Sequence, residues 1–276
     1  MTATTHTLAC GPGWHVTDVI CTAGASDQPF EEEHQDFCVA AVTSGTFRYR
    51  AQQGTAMLAP GAILLGNAGT CYECGHDHGH GDRCLSFHFA PACLERIVAA
   101  VPGARRLTFG IPRLAPLPAL APLLAEAEAA RETGDFGAFE EFALSIAGAA
   151  VAAASSAAGL KRAPSGRDQK RVAEAVRRIE LDSDRPISLA ELASETATSP
   201  YHFLRTFRQV AGMTPYQFLL RARLNKAAVR LRITDDAILS IALEAGFNDL
   251  STFNRRFRRI MGETPGGYRV RRRVAR

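Results

Sequence analysis

Two stretches fifty residues apart, FLRTFRQVAGMTP (203–215) and FNRRFRRIMGETP (253–265), decide how this chain of 276 residues is read. Phe203, Arg205, Phe207, Arg208, Gly212, Thr214 and Pro215 recur as Phe253, Arg255, Phe257, Arg258, Gly262, Thr264 and Pro265, which is 7 identities in 13 positions and too many for chance. Each copy parses the same way. Ser199 and Pro200 supply the cap and first turn of a helix, and Phe203, Phe207 and Val210 form one apolar stripe at i, i+4 and i+7. Ala211-Gly212 then ends the helix and Thr214-Pro215 opens another. ISLAELASET (187–196) precedes the first stripe as a short amphipathic helix, so the two elements and their tight turn make a helix-turn-helix. ILSIALEAGF (238–247) and LSTFNRRFRRIMG (250–262), with Asp249 as the cap, repeat that unit.

Residues 215–232 lie between the units as a third kind of helix, a connector of roughly 27 Å at 1.5 Å per residue. That length suits two recognition helices set in adjacent major-groove segments, about one DNA turn of ~34 Å apart. Charge supports the same partner. Residues 1–167 carry 11 Lys and Arg against 16 Asp and Glu, whereas residues 168–276 carry 21 against 12, so the basic half faces a polyanion and the acidic half has a separate task.

The first half has a different texture. FCVAAVTSGTFRYR (37–50), TAMLAPGAILLG (55–66) and CLSFHF (84–89) are short β segments bounded by turn residues, and residues 14–89 read as a small antiparallel barrel or sandwich. Helical runs follow at 116–132 and 135–158, split by Thr133-Gly134-Asp135, and KRAPSGR (161–167) is the linker. With 46% apolar and 22% charged residues, disorder and collagen are excluded. Residues 142–160 hold no charge, but their Ala, Ser and Gly content fits a packed helix rather than a membrane span. No Lys or Arg precedes Arg48, all 7 cysteines fall between Cys10 and Cys93, and an odd cysteine count suits no disulfide framework. The expectation is a cytoplasmic protein.

IALEAGFNDLSTFNRRFRRIMGETPGGYR (241–269) closely resembles the signature of the AraC/XylS family of bacterial transcription regulators, and the resemblance extends over about residues 170–270. It is looser in the first unit, where Ala197 stands at a position often Gly or Met and Leu204 at one often polar. The resemblance implies an α+β chain: an N-terminal cupin-like β-barrel (1–115), a helical dimerisation segment (116–160), the linker (161–167) and a C-terminal all-α double helix-turn-helix domain (168–276). FEEEHQDFCVAAVTSGTFRYR (30–50) and LAPGAILLG (58–66) resemble barrel strands, although a strand that often carries Pro-His reads Gly69-Thr70-Cys71-Tyr72 here. It further implies an activator or repressor, no enzyme, acting on double-stranded promoter DNA as a homodimer, with RNA polymerase as a further partner.

With the Phe stripes turned inward, Tyr201, His202, Leu204, Arg205 and Arg208 remain for DNA on the first recognition helix, and Leu250, Ser251, Thr252, Asn254 and Arg255 on the second. Arg can take guanine O6 and N7 bidentately and Leu204 a thymine methyl, while Arg256, Arg258 and Arg259 suit phosphates. The family pattern places base contacts at Tyr201, Leu204 and Arg205. The tail RVRRRVAR (269–276) reads equally as a phosphate grip or as solvated charge.

CYECGHDHGHGDRCLSFH (71–88) packs seven soft donors into 18 residues. Cys71, Cys74, Cys84 and His76, with His78 as the alternative fourth, have the spacing of a site for zinc or another soft metal ion. Two other readings stand beside it: a loop with buried small cysteines, and a thiol sensor forming a Cys71–Cys74 disulfide. His34 offers a further donor or a packing residue. Rival functions are weaker. A cupin oxygenase places its His and Glu ligands on facing strands, an Ada-like repair protein needs four cysteines and a Pro-Cys-His-Arg motif, and an architectural DNA binder needs no paired recognition helices.

Overall fold

A computed structural model of the chain describes residues 3–274, apart from 25, 28, 77–79, 135–137 and 157–163. The first half holds two facing antiparallel sheets, not a closed barrel. One has the order β1 (Ala3–Gly11), β2 (Trp14–Gly24), β9 (His80–Phe89), β4 (Phe37–Gly45), β7 (Ile63–Gly66) and β10 (Arg113–Leu114). The other runs β3 (Phe30–Glu33), β8 (Cys71–Gly75), β5 (Phe47–Ala51) and β6 (Gly54–Leu58).

β4 shows why the segment FCVAAV is apolar without a break. Side chains alternate across a strand, so Phe37, Val39 and Ala41 enter one core while Cys38, Ala40 and Val42 enter the other. The second core lies between the sheets, with Phe47, Tyr49 and Leu58 opposite. The first is closed by α1 (Pro91–Ala100) and α3 (Phe139–Ser156). Ala143, Ala147 and Ala150 of α3 are all buried against this sheet. This Ala-rich helix therefore packs on the chain's own sheet.

α2 (Ala121–Thr133) faces both ways, with Ala127 buried in the first core and Ala125 turned to the helical half. It ends at Gly134, whose φ of 72° terminates the helix, while Asp135 of the expected break lies outside the described residues. Its Ala125 is buried among Leu224, Phe253 and Phe257 of the helical half. Glu126 pairs with Arg232 at 2.6 Å, and the Asn225 amide donates to Glu128 at 3.0 Å. The two helical runs expected over 116–160 thus differ in role: α3 packs on the sheet half alone, whereas α2 bridges the two halves.

Four elements differ from the sequence reading. β1 lies before residue 14, α1 and β10 were not foreseen, and α4 (Gly166–Asp182), capped by Ser165, begins inside the expected linker, whose residues 161–163 are outside the description. The helical half continues with α5 (Leu189–Glu195), α6 (Pro200–Ala211), α7 (Pro215–Ile233), α8 (Ile238–Glu244), α9 (Leu250–Met261) and α10 (Pro265–Val274). The expected caps are in place. Ser199 accepts from the His202 amide, Asp249 from the Thr252 amide at 2.7 Å, and Thr214 and Gln217 form a capping box. Gly212 (φ 81°) and Gly262 (φ 84°) end α6 and α9 in the left-handed conformation that glycine adopts without strain. Among the described residues no helix is long and apolar enough to cross a membrane.

Candidate functional site

α6 and α9 are the second helices of their units, and each is pinned by its aromatic stripe. Phe203 and Phe207 are buried with Val176 and Phe218, and Phe253 and Phe257 with Met261 and Tyr268. A helix locked on one side presents a defined other side. On α6 that side shows Arg205 and Arg208 to solvent, with His202 half-buried. Leu204, also half-buried, lines a groove with Leu192, Tyr216 and Leu219 rather than standing free, and the Tyr201 side chain is outside the description. On α9 Ser251, Asn254, Arg255, Arg258 and Arg259 are exposed, while Leu250, Thr252 and Arg256 are partly covered. The Thr252 amide holds the Asp249 carboxyl below its usual range, so the cap beneath this face stays ionised at neutral pH. Two exposed arginine faces, each rising from a capped helix start, can meet base edges and phosphates.

The first half of the chain holds α6 and α9 differently, which sequence reasoning missed. Arg113 of β10 donates to the backbone carbonyls of Val210 and Gln209 at the end of α6, and to that of Met57 at 3.0 Å. Gly212 then passes so close to Ala115 that a Cβ on it would lie 2.7 Å from the alanine methyl. A lone arginine in a two-residue strand carries no periodic signal. α9 instead meets α2, through Ala125. A cavity of about 350 Å³ opens between the halves, lined by Val42 and Leu124 from one and Met213 and Phe218 from the other, with Glu128 and Glu180 at its wall. Burial raises both carboxyls, Glu180 to about 7.

The segment 71–88 is not one loop. It forms most of β8 and β9, and strand geometry separates its donors. Cys71 is exposed and Cys74 turns into the core between the sheets. Three residues along a strand span roughly 10 Å and end on opposite faces, beyond the reach of a disulfide. The Cys71–Cys74 redox reading fails on that geometry. Cys84 is buried in the same core as Cys38. Of the four expected ligands only His76 joins a compact donor group, and its companions are Cys21 and Asp82: their ligand atoms all lie within 4.8 Å of one another. His76 Nε2 is 2.5 Å from Asp82 Oδ1, and the Cys84 thiol donates to Asp82 Oδ2 at 3.4 Å. Burial alone would lower His76, but the bonds to Asp82 and Cys21 outweigh it and raise it to about 9. The pairing of β2 with β9 sets Cys21 opposite Asp82, a register that no spacing within 71–88 reveals. His78 is outside the described residues. His34 is a packing residue: it bonds the Tyr49 hydroxyl at 2.9 Å and stacks on Tyr72 at 4.0 Å, and burial lowers it to about 4.

Comparison with known proteins divides the chain as the fold does. Residues 20–142 match the AraC-like ligand binding domain and residues 192–271 a helix-turn-helix domain. The regulatory protein SoxS of Escherichia coli is 34% identical over 103 residues, which is 37% of this chain and 96% of that protein. The transposon Tn10 TetD protein of Escherichia coli is 38% identical over 91 residues, 33% of this chain and 66% of its own length. The right origin-binding protein of Escherichia coli is also 38% identical over 91 residues, but these make up only 32% of it. The chain therefore matches about two thirds of one of these last two relatives and about a third of the other.

Proposed function

The chain belongs to the AraC/XylS family of regulators, and from that premise we propose that it is a sequence-specific transcription factor whose sheet half receives a signal and whose helical half binds double-stranded promoter DNA. The observation that carries this reading is the repeated recognition face. Arg205 and Arg255 occupy the same place on α6 and α9 and are both exposed, above aromatic stripes that are both buried. In this reading they take guanines, with Asn254, the other solvent-side residues of the two helices and the open edge of half-buried Leu204 completing the base contacts, and Arg208, Arg258 and Arg259 take phosphates. The connector α7, with 19 residues and about 28 Å of length, supports two contacts in adjacent major-groove segments.

The same proposal assigns signal reception to residues 1–115, coupling to 116–160 and DNA binding to 168–276. It places the protein in the cytoplasm as a homodimer that works with RNA polymerase. Because the Ala face of α3 is buried internally, a dimer uses another surface, and sedimentation of the full chain tests whether it forms. The central test is selection from a random duplex pool by the full chain, followed by titration at several salt concentrations. Two enriched half-motifs about one helical turn apart, with affinity falling steeply in salt, are the expected result. A pool without enrichment overturns sequence-specific binding.

A further inference from the structure

The group formed by Cys21, His76 and Asp82 lies on the sheet half, and DNA recognition makes no use of it. All three side chains are inside the fold: Cys21 is 8% exposed, and the side chains of His76 and Asp82 are 2% and 7% exposed. An imidazole, a thiol and a carboxylate so placed need a counter-charge or close partners. We propose that Cys21, His76 and Asp82 bind a zinc-class divalent cation, and that Cys84, outside the compact group but with its thiol 3.4 Å from Asp82 Oδ2, is drawn in as the fourth ligand.

Tetrahedral zinc holds its ligands at roughly 2.0–2.3 Å, so ligand atoms stand roughly 3.3–3.8 Å apart. The spread of up to 4.8 Å among the Cys21, His76 and Asp82 ligand atoms closes to that range with small side-chain shifts, and the His76–Asp82 contact opens slightly as the ion takes the place of the shared proton. The Cys21 and Cys84 thiols and the His76 ring release their protons to solvent as they coordinate. Sulfur and nitrogen donors with one carboxylate select zinc over magnesium or calcium, which take oxygen ligands.

The backbone is shaped around this point. β2 is irregular between Cys21 and Gly24, and β4 between Val42 and Ser44, both against β9. A Cβ on Gly81 (φ 84°) would lie 2.2 Å from the Cys21 carbonyl, and one on Gly45 (φ 74°) 2.1 Å from that of Gly81. Such irregularities re-aim side chains toward a site. They also connect it to the helical half. Gly45 pairs with Asp82, and its N–H donates to both carboxylate oxygens of Glu180 on α4, at 3.3 and 3.4 Å. A cavity of about 530 Å³ at this junction is lined by Cys21 and Asp82 on one side and by Arg177 and Glu180 on the other. An ion that tightens Cys21 against Asp82 moves Gly45, and with it the seat of α4. This regulatory step rests on the DNA-binding reading above, whereas the metal site does not.

Cobalt(II) titration of the chelator-treated full chain, followed by zinc competition, is the first test. The expected result is one saturable site with a thiolate-to-metal charge-transfer band, displaced by zinc. Cys21→Ser and His76→Gln each weaken it at least about tenfold, and Cys71→Ser leaves it unchanged. Zinc, but not magnesium, raises the melting temperature of the wild type, a readout that needs no variant to fold. A wild type with neither the band nor the stabilisation overturns the site, as does loss on Cys71→Ser with retention on Cys21→Ser. The second test is affinity for the selected duplex with and without zinc. A shift of about fivefold or more, abolished in Glu180→Ala, supports the coupling, and equal affinity in a zinc-loaded chain overturns it. Cobalt binding in a chain that selects no DNA overturns the DNA-binding reading alone.

Discussion

The two helix-turn-helix units are built from one pattern and held in two ways. In both, the second helix starts at a capped residue, buries two phenylalanines and ends at a left-handed glycine. The first shares its core with Met57 and Ala59 of the sheet half, and Arg113 binds the carbonyl end of α6. Among the described residues of the first half, the second takes Ala125 of α2 into its core. Their turns differ as well, with Ala197 at φ 50° in the first and Gly246 at φ 86° in the second. What repeats is what makes a recognition helix. What does not repeat records how each unit is attached to the sheet half, and it gives that half separate holds on α6 and α9.

The largest effect is expected in the cores. Phe207→Ala and Phe257→Ala remove fully buried rings from separate clusters, so each lowers stability by about 3–5 kcal/mol. Urea unfolding of the double variant should give close to the sum, and strong non-additivity shows that the units fold as one core. Next come the exposed arginines. Arg205→Ala and Arg255→Ala each weaken the selected site by about 1–3 kcal/mol and relax different base positions, whereas Arg258→Ala weakens all duplexes alike. An unchanged ratio of selected to random binding in the first two makes them phosphate contacts.

Arg113→Ala separates the two holds more finely. It leaves the α6 carbonyls without their donor, at about 1–2 kcal/mol, and hydrogen exchange should quicken around the sheet-facing end of α6 while α9 is unaffected. Equal change in both units means that the halves move as one body. Smallest is Ala197→Gly, which relieves a left-handed alanine and stabilises the first unit by about 0.5–1 kcal/mol. The reverse change at the matching turn, Gly246→Ala, moves stability the other way, because a Cβ there meets the backbone of Asp184 at 2.6 Å. Thermal melts of both variants read the two signs.

Much of the helical half was legible in advance because its signals are local. A cap bonds three residues on, a stripe recurs every three or four, and a glycine stops a helix where it stands, so Ser199, Phe203, Phe207 and Gly212 declare α6 within one short window. The offset of fifty then declares α9. The strand character of 37–50 was legible for a like reason, while its division into β4 and β5 at Gly45 and Thr46 came with the fold. The donors of 71–88 were misread because proximity in sequence was taken for proximity in space, which a strand denies: Cys71 and Cys74 part to opposite faces, while His76 finds Cys21, 55 residues earlier.

The amino-acid order was thus sufficient for the paired recognition helices, their caps and exposed arginines, and the opposite charge of the two halves, since each follows from interactions spanning a few residues or from composition. The register of β2 on β9, the burial of the α3 alanines against the chain's own sheet, and the hold of Arg113 on α6 came only with the packed fold. Contacts between distant segments are set by how whole apolar faces fit together, and no single stretch carries that information.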